Sequence, residues 1–458
     1  MAVDKIIKGG EIVTSEGSYK SDMAISDEKI VGIGSEGALP EAEQYIDASG
    51  LLVLPGIVDP HVHIQDHFSM DSFETATRAA ARGGVTTVID FAWLAWVGEL
   101  SDFDTEGTLT EGLDRKKQKA ANALIDYGFH GAITREDPNV LDEIQELVDR
   151  GVTSFKIFTA YEIGLSNGFM DQLFETVASN DAVAVLHTED DSVCEARTNK
   201  LKKEEKGDSK WYPDSRPDYA EAMAAYDALQ LAVEHGCRYY GIHTSCEKSA
   251  QVVSDFRNQY PDLIRGETCT HYTTLDRSIY EELGNLPMIA PPIRSTSDIE
   301  AIFEYLRGGE LDVVSTDHCA YTRETKQVEN WWNSSFGANS LQVSLPVFYN
   351  EAVNNRDYSP SFVVSKMCTN PAKLFGMEQK GTFEIGTDAD IVLFDPEKQW
   401  TVSSENNESV SDFSIYEGKE LRGAVDKTIV RGELVVDSGE IVGTPGNGEY
   451  VSRNVPNW

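Results

Sequence analysis

Short β-branched runs alternate eight times with helical, alanine-rich segments along this 458-residue chain, and this repeat constrains the fold more than any other feature. We predict strands at residues 51–59, 85–92, 123–133, 153–160, 182–188, 238–244, 264–270 and 311–317. Helical patterns at residues 72–82, 140–150, 218–234, 247–259 and 297–307 lie between most of them. Repeated strand–helix units are typical of an α/β protein whose parallel strands close into a (β/α)8, TIM-like barrel.

Both ends of the chain depart from this repeat. Residues 1–50 contain short strand patterns separated by Gly and Asp turns, and residues 381–400 and 424–442 are similar. Because neither end is able to bury a core alone, we expect the two ends to join in one small β-sandwich beside the barrel. The predicted division is therefore 1–50 for the first part of the sandwich, 51–380 for the barrel, and 381–458 for the second part of the sandwich with a peripheral tail at 443–458.

The acidic charge of the chain limits its partners. The net charge is −38, from 77 acidic and 39 basic residues spread along the whole chain. We therefore expect no nucleic-acid or membrane partner. Without an apolar run of about 20 residues or an N-terminal apolar signal region, the expected location is the cytoplasm. A diffuse acidic surface resembles that of proteins adapted to high salt, which predicts a halophilic protein.

The six cysteines have no Cys-x-x-Cys spacing. They fit reduced, buried thiols in an intracellular protein. Cys319 is the one that directly follows a candidate site segment, Asp317-His318, and we expect it to have a packing role.

Lys156 stands in an apolar, strand-like run. Burial favours the neutral, nucleophilic amine of a lysine over its ammonium. Such an amine can take up carbon dioxide and become a carbamate, an anion able to bridge two metal ions. A lysine with a buried stem whose charged head reaches water or an acid is the alternative, and it is the commoner case for a single lysine. The residues that surround Lys156 along the chain decide between them.

Four histidines and one aspartate lie at the strand ends that form the active face of a parallel barrel. His61 and His63 follow the first strand, and residues at i and i+2 of an extended chain point to the same side. His187, His243 and Asp317 end the fifth, sixth and eighth strands. Alone, each such histidine is usually a hydrogen-bonded structural residue, and the aspartate a helix cap. Together with the lysine of the fourth strand, their placement predicts a metal centre.

Motifs along nearly the whole chain have the sequence and order found in one enzyme family. They lie at residues 54–63, 71–87, 154–161, 215–221, 267–272, 291–294, 315–318 and 386–390. Taken together, they resemble those of the cyclic amidohydrolases in the amidohydrolase superfamily, and they are most similar to the hydantoinase/dihydropyrimidinase group.

This resemblance implies a binuclear zinc site in which carbon dioxide has carboxylated Lys156 to N6-carboxylysine. One metal would take His61, His63, carboxylated Lys156 and Asp317, and the other would take carboxylated Lys156, His187 and His243. The carbamate and a hydroxide would bridge the two ions. Imidazole and oxygen ligands suit zinc, and manganese, cobalt and iron also fit such a set. The family forms tetramers or dimers, so a homo-oligomer is implied.

The implied reaction is hydrolysis of a cyclic amide to an N-carbamoyl amino acid. Two divalent ions lower the pKa of a bridging water, and the resulting hydroxide attacks a ring carbonyl. Asp317 would accept the proton and deliver it to the departing nitrogen. Tyr161 resembles the family tyrosine that donates a hydrogen bond to the developing oxyanion, with a rim aromatic as the alternative.

Two positions favour a hydantoin or dihydropyrimidine ring as substrate. Dihydroorotases typically continue the first motif as His-x-His-x-Arg, in which the arginine binds a substrate carboxylate, whereas this chain has Gln65 at that position. Allantoinases usually lack the tyrosine that corresponds to Tyr161. An allantoinase, a dihydroorotase-like enzyme and a non-catalytic scaffold of the same fold remain as alternatives, although retention of all the candidate ligands favours an enzyme.

Three positions depart from the dihydropyrimidinase pattern. Ala290 replaces a serine, Phe336 an asparagine, and Gln342 a glutamate that is common there. Ala290 and Phe336 remain predicted substrate-binding residues with Tyr161, because the family contacts at these two positions are largely through the backbone. Trp93 and Trp96, after the second strand, are candidates for a lid over the substrate, with loop packing or a subunit interface as the alternatives.

Overall fold

A barrel of eight parallel strands forms the centre of the computed structural model, which describes residues 2–94 and 107–458. Its strands, in order around the sheet, are Ile57–Asp59, Val85–Trp93, Asp126–Ala132, Ser154–Phe158, Val183–His187, Arg238–Gly241, Ile264–Cys269 and Val313–Ser315. Past the eighth strand, His318–Cys319 pairs in parallel with Val62–His63, which follows the first strand. This pairing joins the two edges, and the predicted (β/α)8 barrel is confirmed.

Most of the helices pack on the outside of the barrel, where their apolar faces share one hydrophobic cluster with the strands. The helices are Phe73–Arg82, Leu109–Lys119, Pro138–Asp149, Asn167–Ser179, Asp191–Lys203, Asp218–His235, Glu247–Gln259, Ile279–Leu283, Thr296–Gly308, Arg323–Lys326, Ser344–Tyr349, Pro360–Val364 and Asn370–Leu374. Shorter 3-10 turns span Ala120–Asn122, Ser209–Ser215, Thr270–Thr273, Trp331–Asn333 and Ser404–Asn406, and π turns span Asn350–Asn355 and Ser365–Thr369. Local sequence explains where helices begin: Ser72 caps the first one through the backbone N–H of Thr75.

Both ends of the chain form one β-sandwich, as predicted. One sheet contains Val3–Lys8, Asp22–Ser26, Lys29–Gly34 and Ala42–Asp47. The other contains Glu11–Thr14, Gly17–Lys20, Leu52–Pro55, Ile391–Thr401, Glu420–Val430, Glu433–Asp437 and Glu440–Ile441. Ile7 and Ile25 of the first sheet share a buried cluster with Val53 and Ile391 of the second. The sandwich core therefore needs strands from both ends of the chain.

The predicted first barrel strand, 51–59, is two strands in the structure. Leu52–Pro55 pairs with Ile391–Thr401 in the sandwich, whereas Ile57–Asp59 pairs with Val85–Trp93 in the barrel. The chain changes sheets at Gly56, where an added Cβ would lie 2.0 Å from Oγ1 of Thr86. Both strands are buried throughout, so a continuous apolar run in the sequence did not reveal the break.

The C-terminal segment is not peripheral, contrary to the prediction for residues 443–458. Its backbone joins the start of the third barrel strand, where N–H of Val451 donates to the carbonyl of Tyr127 over 2.8 Å. Arg453 is only 3% exposed and donates to the carbonyl of Phe129. The segment therefore covers the end of the barrel opposite the predicted active face.

All six cysteines are buried free thiols, in agreement with the prediction. Cys319 lies close to the backbone of Phe68 and Phe336. Among the residues that the structure describes, no helix combines the length and apolarity needed to cross a bilayer.

Candidate metal centre

A cavity of about 560 Å³ lies beside the carboxyl ends of the barrel strands. It is lined by every residue that the sequence indicated for the site: His61, His63, Lys156, Tyr161, His187, His243, Ala290, Asp317 and Phe336. These residues come from strand ends and loops spread over more than half of the chain. The barrel therefore brings together what the sequence separates.

Asp317 lies close to His61 and His63, the two histidines that follow the first strand. Its Oδ1 lies 3.1 Å from Nε2 of His61 and 3.5 Å from Nε2 of His63. One ligand atom from each of the three residues fits within 4.8 Å of the others. Burial alone would raise the pKa of the Asp317 carboxyl, but the two histidines hold it well below its usual value. Burial alone would lower the pKa of His61, but Asp317 and Glu267 raise it to about 9, so a divalent cation bound by this set would displace a proton from that imidazole.

His187 and His243 form a second pair in the same cavity. Nδ1 of His187 and Nε2 of His243 lie 2.8 Å apart. Burial lowers the pKa of His187 to about 4 and that of His243 well below its usual value. Both imidazoles are therefore neutral near pH 7, which is the state in which histidine binds a metal.

Lys156 is 1% exposed and lies against the rings of Phe91 and Phe158. Burial lowers the pKa of Lys156 to about 7, although Asp317 and Glu267 oppose the shift. Among the described residues, none makes an ion pair with Lys156 within 4.0 Å. The alternative of a charged head that pairs with an acid is therefore not what the structure contains, and near pH 7 much of the amine is neutral.

Three carboxylates that the sequence interpretation missed face the histidines. Each pair joins a histidine nitrogen to a carboxylate oxygen: Nδ1 of His61 to Oε1 of Glu267 at 2.7 Å, Nδ1 of His63 to Oδ2 of Asp66 at 3.6 Å, and Nε2 of His187 to Oε2 of Glu189 at 3.0 Å. All three carboxylates are buried. A histidine that binds a metal usually donates its other N–H to such an oxygen. For Asp66 and Glu189 the available signal was an acidic residue two or three positions after a candidate ligand, whereas Glu267 is 206 positions from His61.

Tyr161, Ala290 and Phe336 form part of the cavity wall. Tyr161 has a left-handed backbone, φ 70°, and its N–H donates to Oδ1 of Asp191 over 3.1 Å. Burial raises the pKa of the Tyr161 hydroxyl, which therefore stays protonated and able to donate. Phe336 packs against the ring of Tyr212, 5.3 Å between centroids.

Trp93 does not form a lid. Its indole is buried, stacks 5.9 Å from the ring of Phe158, and donates from Nε1 to Oδ2 of Asp66 over 2.9 Å. It therefore packs behind the site and fixes the carboxylate that faces His63. Trp96 lies outside the described residues.

Comparison with known proteins places the chain in a family. The family model described as "Amidohydrolase family" matches residues 52–435, which include all the candidate ligands. The chain belongs to the amidohydrolase family. Within it, the resemblance to the hydantoinase/dihydropyrimidinase group is confirmed by full-length relatives.

The similarity to these relatives extends over whole chains. A D-hydantoinase of Ralstonia pickettii is 34% identical over 98% of this chain and 99% of its own length. An allantoinase of Salmonella choleraesuis is 31% identical over 99% of this chain and all of its own. The crystal structure of a dihydropyrimidinase from Brevibacillus agri superposes with a TM-score of 0.93, at 31% identity and 99% coverage of both chains.

Proposed function

We propose that this protein is a metal-dependent hydrolase that opens a hydantoin or dihydropyrimidine ring to an N-carbamoyl amino acid. One observation carries the proposal: a single cavity contains Lys156, four histidines and Asp317, with carboxylates behind three of the histidines. A scaffold of the same fold would have no need for this arrangement. Full-length similarity to hydantoinases and a dihydropyrimidinase supports the choice of ring.

The residues present fit a pair of divalent ions. His61, His63 and Asp317 would hold one ion, and His187 and His243 the other, with carboxylated Lys156 shared between them. Since Glu189 faces Nε2 of His187, the ring nitrogen that faces His243 is left to bind a cation. When bound, the two ions would supply a water acidic enough to ionise near neutral pH and a positive charge for the ring carbonyl.

The protein's own groups would move the protons and hold the ring. Asp317 would accept the proton of the attacking water and pass it to the departing ring nitrogen. The hydroxyl of Tyr161 would donate a hydrogen bond to the carbonyl oxygen as its negative charge grows. Phe68, Phe158 and Phe336 line the cavity and would exclude bulk water from the reacting amide.

The charges of the cavity favour a ring without a carboxylate. Dihydroorotate would require a cation to bind its acid group. Arg216 is the one arginine among the described residues that line the cavity, and it is paired with Glu189. Allantoin is the second candidate, because Ala290 replaces the serine of the dihydropyrimidinase pattern and a full-length allantoinase is similar to this chain.

The test is a hydrolysis panel with the purified, metal-loaded protein. We expect turnover of hydantoin, 5-substituted hydantoins or dihydrouracil, little of allantoin, and none of dihydroorotate. Preferred turnover of allantoin would move the assignment to the second candidate. A protein that binds no metal and hydrolyses none of the five would be a scaffold, and the proposal would be wrong.

Several finer expectations belong to the same proposal. They are zinc as the bound ion, N6-carboxylysine at position 156, a homo-oligomer (dimer or tetramer), a cytoplasmic location, and a domain division near residue 380, with the first division moved from residue 50 to Gly56. Elemental analysis of the purified protein tests the first, and light scattering tests the oligomer.

A further inference from the structure

Arg216 reaches into the cavity between two aromatic rings. Its Cζ lies 4.9 Å from the ring centroid of Tyr161 and 5.6 Å from that of Phe336. A guanidinium at this distance is attracted to the face of an aromatic ring, and the attraction strengthens where water is excluded. The Arg216 side chain is only 11% exposed. Arg216 therefore contacts both Tyr161, the proposed oxyanion donor, and Phe336.

The same guanidinium forms an ion pair with Glu189. That carboxylate is 1% exposed, and its Oε2 faces Nε2 of His187. Burial of a lone carboxylate is costly, so the charge of Arg216 compensates Glu189. Arg294 donates to the backbone carbonyl of Arg216 and thereby fixes the segment that carries it. Arg216 thus contacts both Glu189, which faces the candidate metal ligand His187, and Tyr161.

We propose that Arg216 is a positioning residue that couples the orientation of His187 to that of Tyr161, and that Phe336 completes its site. The inference rests on the proposed function. Tyr161 has a φ of 70°, which L-residues adopt rarely, so its surroundings must hold the backbone in this conformation. Phe336 stands where the family pattern has asparagine, and here it contributes a ring face to the guanidinium.

The first test measures metal content rather than activity. Arg216→Gln leaves Glu189 without its cation, and we expect the affinity of the second metal position to fall about 10- to 100-fold, as for other groups that orient ligands. Arg216→Lys keeps a charge near Glu189 and should retain both ions in elemental analysis after dialysis. Full metal retention by Arg216→Gln would overturn the link to His187.

The second test separates positioning of Tyr161 from general damage. Arg216→Lys loses the planar stack, so we expect kcat to fall about 10-fold with little change in KM. Tyr161→Phe removes the donor, and kcat should fall about 100-fold. In the Tyr161→Phe background, Arg216→Lys should lower kcat no further. Full multiplication of the two losses would contradict the proposed coupling.

The third test replaces Phe336. Phe336→Leu removes the ring but keeps an apolar wall, and should reproduce most of the kcat loss of Arg216→Lys without loss of metal. An unchanged kcat in Phe336→Leu would overturn its part in the proposal. If the wild-type protein hydrolyses nothing in the panel, the proposed function fails, whereas the metal measurements on Arg216→Gln still decide the link to His187.

Discussion

Three of the proposed functional residues have a left-handed backbone. φ is 70° at Tyr161, 40° at His243 and 47° at Asp317. Each such residue costs on the order of 1–3 kcal/mol and persists only where its surroundings hold it in place. The strand ends turn sharply at these positions and direct the side chains into the cavity. Strain at these residues is thus part of how the site is built.

The proposed role of Lys156 predicts the effect of removing its amine. Lys156→Ala should lose metal and activity together, because the carbamate is shared by both ions, and a short carboxylic acid should restore part of each. Elemental analysis and turnover with and without added acetate measure this. Lys366→Ala is a matched control, since Lys366 is also buried and donates to the carbonyl of Leu311 over 2.8 Å. Normal metal content in Lys156→Ala would contradict the role.

Among the larger elements, the C-terminal segment closes the barrel at the end opposite the site. Four backbone hydrogen bonds of about 3 Å connect its residues 449–458 to the barrel side, with N–H groups of Tyr127, Val451, Arg453 and Asn454 as donors. Arg453 adds a bond to the carbonyl of Phe129. A segment bonded in this way belongs to the folded unit, whatever its position at the end of the chain.

Deletion of residues 449–458 should therefore destabilise the whole protein. At about 1 kcal/mol for each lost hydrogen bond, we expect a loss of roughly 4 kcal/mol in the free energy of unfolding. The midpoint of urea denaturation measures it. Val455→Ala, at an exposed position of the same segment, should change the midpoint little. An unchanged midpoint after the deletion would show that the segment contributes nothing to stability.

At the scale of the whole molecule, one buried charge cluster joins the sandwich to the barrel. Lys380 is 4% exposed and lies 2.8 Å from Asp390 and 2.9 Å from Asp388, which precede a sandwich strand. It also pairs with Asp126, where the third barrel strand begins. Removal of one partner from such a group leaves buried charges uncompensated.

This cluster predicts a pH dependence of stability. Burial alone would raise the pKa of Asp388, but Lys380 holds it below its usual value. Burial alone would lower the pKa of Lys380, but Asp390 and Asp388 raise it. The depressed carboxyl contributes stability that is lost as pH falls below about 4, and the raised lysine contributes stability that is lost above about pH 10.

Lys380→Met should lower the free energy of unfolding by about 3–5 kcal/mol at pH 7. The difference in free energy of unfolding between this variant and the wild type should become smaller below about pH 4, where the partner carboxylates lose their charge and no longer need the cation. Urea denaturation at several pH values measures this. Lys29→Met is the matched control, because Lys29 pairs with the same Asp388 but is more exposed. A difference in free energy of unfolding that does not change with pH would contradict the role of these ion pairs.

The net charge of −38 predicts a response to salt. Self-repulsion is screened within about 10 Å at 0.1 M salt and about 3 Å at 1 M, so molar KCl should raise the melting temperature by several degrees. Scanning calorimetry across salt concentration measures it. Sucrose at equal osmolality controls for exclusion of solute from the surface. A melting temperature that does not rise with KCl would contradict adaptation to high salt.

The sequence alone indicated the barrel, the sandwich from both chain ends and nine of the residues that line the cavity, because each of these features has a local sequence pattern. Strand–helix alternation, turn residues, and His or Asp at strand ends are visible in one dimension. The break at Gly56 was not visible, because both strands beside it are equally apolar. The burial of Arg453 was not visible either, because a short segment at the chain end has no hydrophobic periodicity that would indicate burial.

The sequence was enough to identify the candidate ligands, whereas only the tertiary structure shows which side chains contact them. Lys156 in an apolar run, together with the histidines and the aspartate at the strand ends, already predicted a buried amine. That Glu267 faces His61, across 206 positions of sequence, follows only from the closure of the barrel. The placement of Arg216 between Tyr161 and Phe336 depends in the same way on loops that meet above different strands. Burial leaves a pattern in a chain, whereas contact between distant side chains is a property of the folded geometry alone.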